Sequence, residues 1–141
     1  IKDGNQIVLI GGPQEILLLE ELTEFLKLPH VINLVGKCSI KQSMAAIKRC
    51  TCSIGIDTGM QHIAGALSVP TISIFGPTNP KYIGAFSDCS YFVEYETDCK
   101  YCFGTNQYLH CNHRRCLTEI TPQQVMDTVH QVLKKGNHEN V

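Results

Sequence analysis

Short apolar runs that end in glycine or polar turns, each leading into a segment of helical periodicity, constrain this 141-residue chain most. Residues 7–10 run into Gly11-Gly12-Pro13, residues 31–35 into Gly36, and residues 51–56 into Asp57-Thr58-Gly59. A fourth run, residues 69–75, ends in Gly76-Pro77-Thr78, with Pro70 near its start where a strand tolerates it. The continuous apolar run at residues 7–10 suits a strand buried on both faces, the habit of parallel sheets. Residues 91–95 supply a fifth candidate strand.

Between these runs the period changes to that of helices. Leu18, Leu22, Phe25 and Leu26 repeat at helical spacing until Pro29. Ser39 and Gln42 have capping-box spacing, and Ile40, Met44 and Ile47 then mark a buried face. Met60, Ile63, Ala64 and Leu67 form the apolar side of a third helix. Near the end, Thr121 caps, Pro122 takes the first helical position, and Gln124 completes another box. Val125, Val129, Val132 and Leu133 face inward from that closing helix, which Gly136 is expected to end. The alternation predicts an α/β fold with a mainly parallel sheet and helices on both faces. It is expected as one domain over residues 1–136, with a frayed tail at 137–141.

Composition narrows the function. Hydrophobic content of 43% with 18% charged residues is that of a globular domain, and a net charge of −1 offers no field for nucleic acid. No apolar run approaches the roughly 18 residues that cross a bilayer, and no signal peptide is visible. Residue 1 is Ile rather than Met, which suggests a piece of something longer. Cys38, Cys50, Cys52 and Cys89 are dispersed, whereas Cys99, Cys102, Cys111 and Cys116 cluster in residues 96–118, where periodicity fails and an inserted loop is expected. Without a secretory signal, thiols or a metal are favoured over a disulfide framework. The close first pair matches a tetrahedral four-cysteine zinc site, while the wider second pair makes the match partial. His110 and His113 are substitute ligands. Any such site would be structural, since four protein ligands leave no position for a catalytic water. Reduced thiols, or an oxidised pair, in a surface loop are the competing reading.

The site candidate is the stretch from Asp57 to Pro80, DTGMQHIAGALSVPTISIFGPTNP. The first turn of a helix leaves N–H groups without partners and carries the positive end of the dipole, a seat for a phosphate or diphosphate. Thr58 and His62 lie one turn apart, away from the apolar face. Asp57 or Thr58 as a plain cap is the bland alternative. Against it stands the second polar turn, Gly76-Pro77-Thr78, because turns at the carboxyl ends of adjacent parallel strands border one crevice. Glu15 follows the Gly11-Gly12-Pro13 turn, where it suits a helix start or could accept hydrogen bonds from a ribose.

These residues resemble the C-terminal domain of the family 9 glycosyltransferases, the ADP-heptose:lipopolysaccharide heptosyltransferases and their relatives. The likeness rests on Asp57-Thr58-Gly59, His62, Ala64, Val69-Pro70 and Phe75-Gly76-Pro77-Thr78, and extends over nearly the whole chain. It implies a GT-B architecture of two Rossmann-like domains, the N-terminal one holding the glycan acceptor and the C-terminal one the nucleotide-sugar donor. By position, Asp57, Thr58 and Gly59 would meet the donor diphosphate through backbone N–H groups, with the Asp57 side chain capping or bracing the turn. His62 would lie beside the phosphates or sugar, Thr78 would line the cleft, and Glu15 and the 36–39 loop would border the adenosine. The resemblance implies inverting transfer, with a carboxylate base in the N-terminal domain, so no residue of this chain is assigned to it. It implies no catalytic cofactor, a donor such as ADP-heptose, and a lipopolysaccharide-core acceptor. A cytoplasmic location follows, extending to contact with the inner membrane's cytoplasmic face. Two other readings stay open: a non-catalytic nucleotide-binding domain, and a zinc-stabilised interaction module in which the Asp57 turn is only a cap.

Overall fold

A computed structural model describes residues 4–138. The fold is α/β with parallel sheets, and the chain divides into two compact units, the first ending at Ala46 and the second beginning at Ile47.

In the first unit, β1 (Ile7–Leu9) pairs in parallel with β2 (Val31–Asn33). The connection differs from the helix expected over residues 18–26. It is a 3-10 run, Pro13–Leu22, followed by one α turn, α1 (Thr23–Leu26). Neither segment contains a buried residue, and Leu17 and Leu18 are exposed. A 3-10 turn aligns side chains every three residues rather than every 3.6. Ile16 is 46% exposed as well, although its Cδ1 lies 2.6 Å from where a Cβ on Gly36 would stand. Gly36 has φ +68°, a left-handed conformation that favours glycine. Helix α2 (Ile40–Lys48) opens on the expected capping box: Ser39 N–H donates to Gln42 Oε1 at 2.9 Å, and Gln42 N–H to Ser39 Oγ at 3.4 Å. Ser43 and Ile47 are buried, but Ile40, expected inside, is 65% exposed.

In the second unit, β3 (Ser53–Ile56), β4 (Thr71–Ile74) and β5 (Ser90–Val93) form a three-stranded parallel sheet in that order. Central β4 is covered on both faces, and Thr71, Ile72 and Ser73 are all buried. Ile72 joins Val93, Val129 and Val132 in the core beneath α7 (Pro122–His138). Ser73 points the other way, toward α3 (Gly59–Ala66), as strand alternation requires. Whereas β1 is half-buried rather than buried on both faces as expected, strand β3 exposes Ile54 and Ile56. It lies at the edge of this sheet, and its inward positions are Ser53 and Gly55.

After β4 come a single turn, α4 (Pro80–Ile83), and then β5. The 96–118 segment is not featureless, since it contains two further single turns, α5 (Asn106–Leu109) and α6 (Arg115–Thr118). Helix α7 starts on its capping box, with Thr121 N–H donating to Gln124 Oε1 at 2.7 Å and Gln124 N–H to Thr121 Oγ1 at 3.3 Å. It does not end at Gly136, which lies within it, and residues 137–138 are helical rather than frayed. One glycine costs about 1 kcal/mol in a helix, which a well-capped, core-packed helix can carry. The rest of the expected tail, residues 139–141, lies outside the described residues. No helix among the described residues is long and apolar enough to cross a membrane.

Candidate functional site

The register of β3 and β4 pairs Ile56 with Ile74, so both strands end level. The chain then leaves β3 through Asp57 and Thr58 into α3, and leaves β4 through Phe75 into the Gly76-Pro77-Thr78 turn. Two polar turns thus start side by side at the carboxyl edge of one parallel sheet. That edge is where open α/β sheets take their ligands.

Thr58 is the N-cap residue of α3, with extended φ −141° and ψ 163°, yet its side chain makes no capping bond. The N–H groups of Gly59 and Met60, in the first turn, have no carbonyl within the helix to reach. Gln61 N–H is turned back onto Thr58 O at 3.0 Å. At Gly59 a side chain would enter open space, with no heavy atom within 4 Å of its Cβ. The helix therefore presents a bare, positively polarised start.

Asp57 stands at this opening, but its carboxylate is engaged sideways. Oδ2 accepts from Thr78 Oγ1 at 3.4 Å, and Oδ1 lies 3.7 Å from His62 Nε2. The side chain braces the two turns against each other and does not cap α3. Its exposure is 26%, against 48% for His62. Asp57, His62 and Thr78 are thus gathered at the α3 opening.

Glu15 belongs to the first unit, at the start of the 3-10 run. Its Oε2 lies 3.0 Å from the position of a Cβ on Gly12, so the carboxylate folds over the glycine turn. Gly36 N–H donates to Gly11 O at 3.0 Å, which ties the 36–39 loop to the same turn.

Sequence reading missed Gln61. It is 4% exposed, donates from Nε2 to Ser53 Oγ at 3.2 Å, and faces Ser73 Oγ through Oε1 at 3.5 Å. One buried amide thereby pins the first turn of α3 to β3 and β4. A signal did exist: Gly55, inside a short strand, marks close approach of another group. A Cβ at Gly55 would lie 2.5 Å from Gln61 Nε2.

The cysteine-rich segment docks against the second turn. Phe103 N–H donates to Pro77 O at 2.9 Å. Leu117 and Cys116 sit against Gly76, where a Cβ would come within 2.6 Å of Leu117 Cγ and 3.2 Å of Cys116 Sγ. Cys99, Cys102 and Cys111 line a cavity of about 180 Å³ with His110 and His113. None of the eight cysteines is joined in a disulfide. Backbone hydrogen bonds from Arg114 and His113, helped by the Arg114 charge, hold the Cys111 thiol below its ordinary value. Burial, then the neighbouring Cys102, Cys99 and Cys111, pushes Cys116 up. Among the described residues no three potential ligands already form a metal cage.

Comparison with known proteins identifies a family and a shared fold. The family model for glycosyltransferase family 9 (heptosyltransferase) matches residues 1–113. The lipooligosaccharide heptosyltransferase 2 of Haemophilus influenzae is 30% identical over 128 residues, covering 89% of this chain and 35% of that protein. Among solved structures, the family 9 glycosyl transferase of Veillonella parvula superposes with a TM-score of 0.81 at 22% identity, over 95% of this chain and 38% of that one. The Escherichia coli heptosyltransferase WaaC with ADP gives 0.69 at 23% identity, over 92% of this chain and 35% of that one. The chain spans little more than a third of the length of these relatives.

Proposed function

The chain belongs to glycosyltransferase family 9, and from that premise we propose that it is the nucleotide-sugar-binding part of an inverting heptosyltransferase of lipopolysaccharide core synthesis. The donor is an ADP-heptose or a close analogue. One observation carries the reading: α3 opens uncapped beside the β4 turn, with space above Gly59 and the Asp57 carboxylate turned onto Thr78 and His62.

That arrangement suits the chemistry. When the sugar leaves for an acceptor hydroxyl, negative charge develops on the departing diphosphate. N–H groups fixed at a helix start stabilise that charge without having to reorganise during the reaction. The Thr58, Gly59 and Met60 amides are placed for this, and the glycine lets a phosphate approach the backbone. Asp57 would repel a diphosphate if it faced one, so its engagement with Thr78 and His62 removes the conflict. His62, with Nε2 3.7 Å from Asp57 Oδ1, is assigned to the phosphates or sugar on the resemblance. Glu15 and the 36–39 loop are assigned to the adenosine, on the resemblance alone. The proton-accepting base and the acceptor site are assigned to another domain of the whole enzyme, whose location is the cytoplasmic side of the inner membrane.

Calorimetric titration with ADP, UDP and GDP tests the reading. ADP is expected to saturate one site, and Gly59→Val to abolish it. Saturation unaffected by Gly59→Val would move the donor elsewhere. Indifference to all three nucleotides would favour an interaction module over a donor domain.

A further inference from the structure

We propose that Cys99, Cys102, Cys111 and Cys116 together bind one zinc ion, which fastens the cysteine-rich segment onto the turn that carries Thr78. The proposal is independent of the donor reading. Cys99, Cys102 and Cys111 line one small cavity, and Cys116, 4% exposed, packs against Gly76. The backbone is shaped for convergence. Tyr101 and Gly104 take φ +64° and +80° around Cys102, and Arg114 takes +48° between Cys111 and Cys116. Left-handed conformations at non-glycine residues such as Tyr101 and Arg114 are uncommon, and both lie within two residues of a cysteine. The His113 ring, with Nδ1 3.9 Å from Cys111 Sγ and accepting from Arg115 N–H at 3.3 Å, is the kind of outer contact that orients a thiolate ligand.

Thiolates are soft ligands and select zinc over magnesium or calcium. Four of them carry four negative charges against two on the ion, and Arg114 offsets part of the excess. The described side chains are not yet a cage, so binding turns the thiols inward while each gives its proton to solvent. The stabilisation then passes to the site through the Phe103 N–H to Pro77 O bond and the packing of Leu117 on Gly76.

The test uses the 141-residue chain, purified without added zinc, chelator or histidine tag. Metal analysis is expected to find about one zinc per chain, and exchange for cobalt to give the strong visible bands of a tetrahedral thiolate site. Cys99→Ser and Cys111→Ser, at less buried positions, should each lose the metal and the bands. The double variant His110→Ala, His113→Ala should keep both. A folded chain, judged by circular dichroism, that takes up neither zinc nor cobalt would overturn the proposal. So would disulfides among these cysteines by mass spectrometry, or metal retained in both cysteine variants.

Discussion

Thr78 Oγ1 donates to Asp57 Oδ2 at 3.4 Å across 21 residues of sequence, and this bond joins the turns after two neighbouring parallel strands. It holds the carboxylate away from the start of α3. Thr78→Val keeps the shape and removes the donor. Nucleotide affinity should fall about fivefold, the effect of about 1 kcal/mol, as Asp57 is released toward the phosphates. Thr78→Ser should restore most of it. The bond is only half buried, so the melting temperature should hardly move. Calorimetry and a thermal melt on both variants separate these effects.

Gly59 lies at the first helical position of α3 with open space where a side chain would project. A Cβ there meets no heavy atom within 4 Å, and glycine is a poor helix former to begin with. Gly59→Val should therefore leave stability within about 0.5 kcal/mol of the parent while filling the volume a phosphate would occupy. Loss of ADP binding with an unchanged melt is the expected pair of results. A large drop in melting temperature would place Gly59 in the packing instead.

Much of this site was legible from local sequence. Polar turns after apolar runs locate Asp57 and Thr78, and both capping boxes, Ser39 with Gln42 and Thr121 with Gln124, formed as their spacing requires. Local signals operate within a few residues, so neighbours suffice to reveal them. What they could not reveal depends on distant partners. Ile40, Ile54 and Ile56 are apolar by type, yet periodicity tells which face is apolar and not whether anything covers it. The 3-10 geometry of Pro13–Leu22 was hidden because residues three and four apart look alike in a leucine-rich stretch. Gln61 was hidden because a polar residue beside an apolar stripe reads as surface until Ser53 and Ser73 are brought to it.

Gln61 yields a stability prediction. Gln61→Leu removes a buried amide and leaves Ser53 and Ser73 facing an apolar group. The cost should be about 1–3 kcal/mol, from unsatisfied hydroxyls. Gly55→Ala should cost about as much by a different route, since its Cβ would stand 2.5 Å from Gln61 Nε2 and push the amide off its partners. Because both changes act on one contact, the double variant should fall short of the sum. Urea unfolding of the four proteins measures the cycle, and full additivity would mean the glycine is needed for something other than Gln61.

Cys52 sets an alkaline limit on the fold. It packs against the core formed by Ile72, Val93, Val129 and Val132, and burial, with Cys50 adding to it, raises its thiol above the ordinary value of 9.0. The sign follows from proton counting. Well below pH 9.0 the thiol is protonated in both the folded and unfolded chain, so this contribution is complete. Above it the unfolded chain loses this proton while the folded one keeps it. The unfolded state then binds fewer protons, and unfolding free energy falls as pH rises toward the folded value. Melting temperature should therefore be flat from neutral pH to about 9 with respect to this group and decline beyond it. Cys52→Ala, which cannot ionise, should show a smaller alkaline decline from a somewhat lower start. Parallel curves for parent and variant above pH 9 would mean that Cys52 ionises as readily in the core as in the open chain.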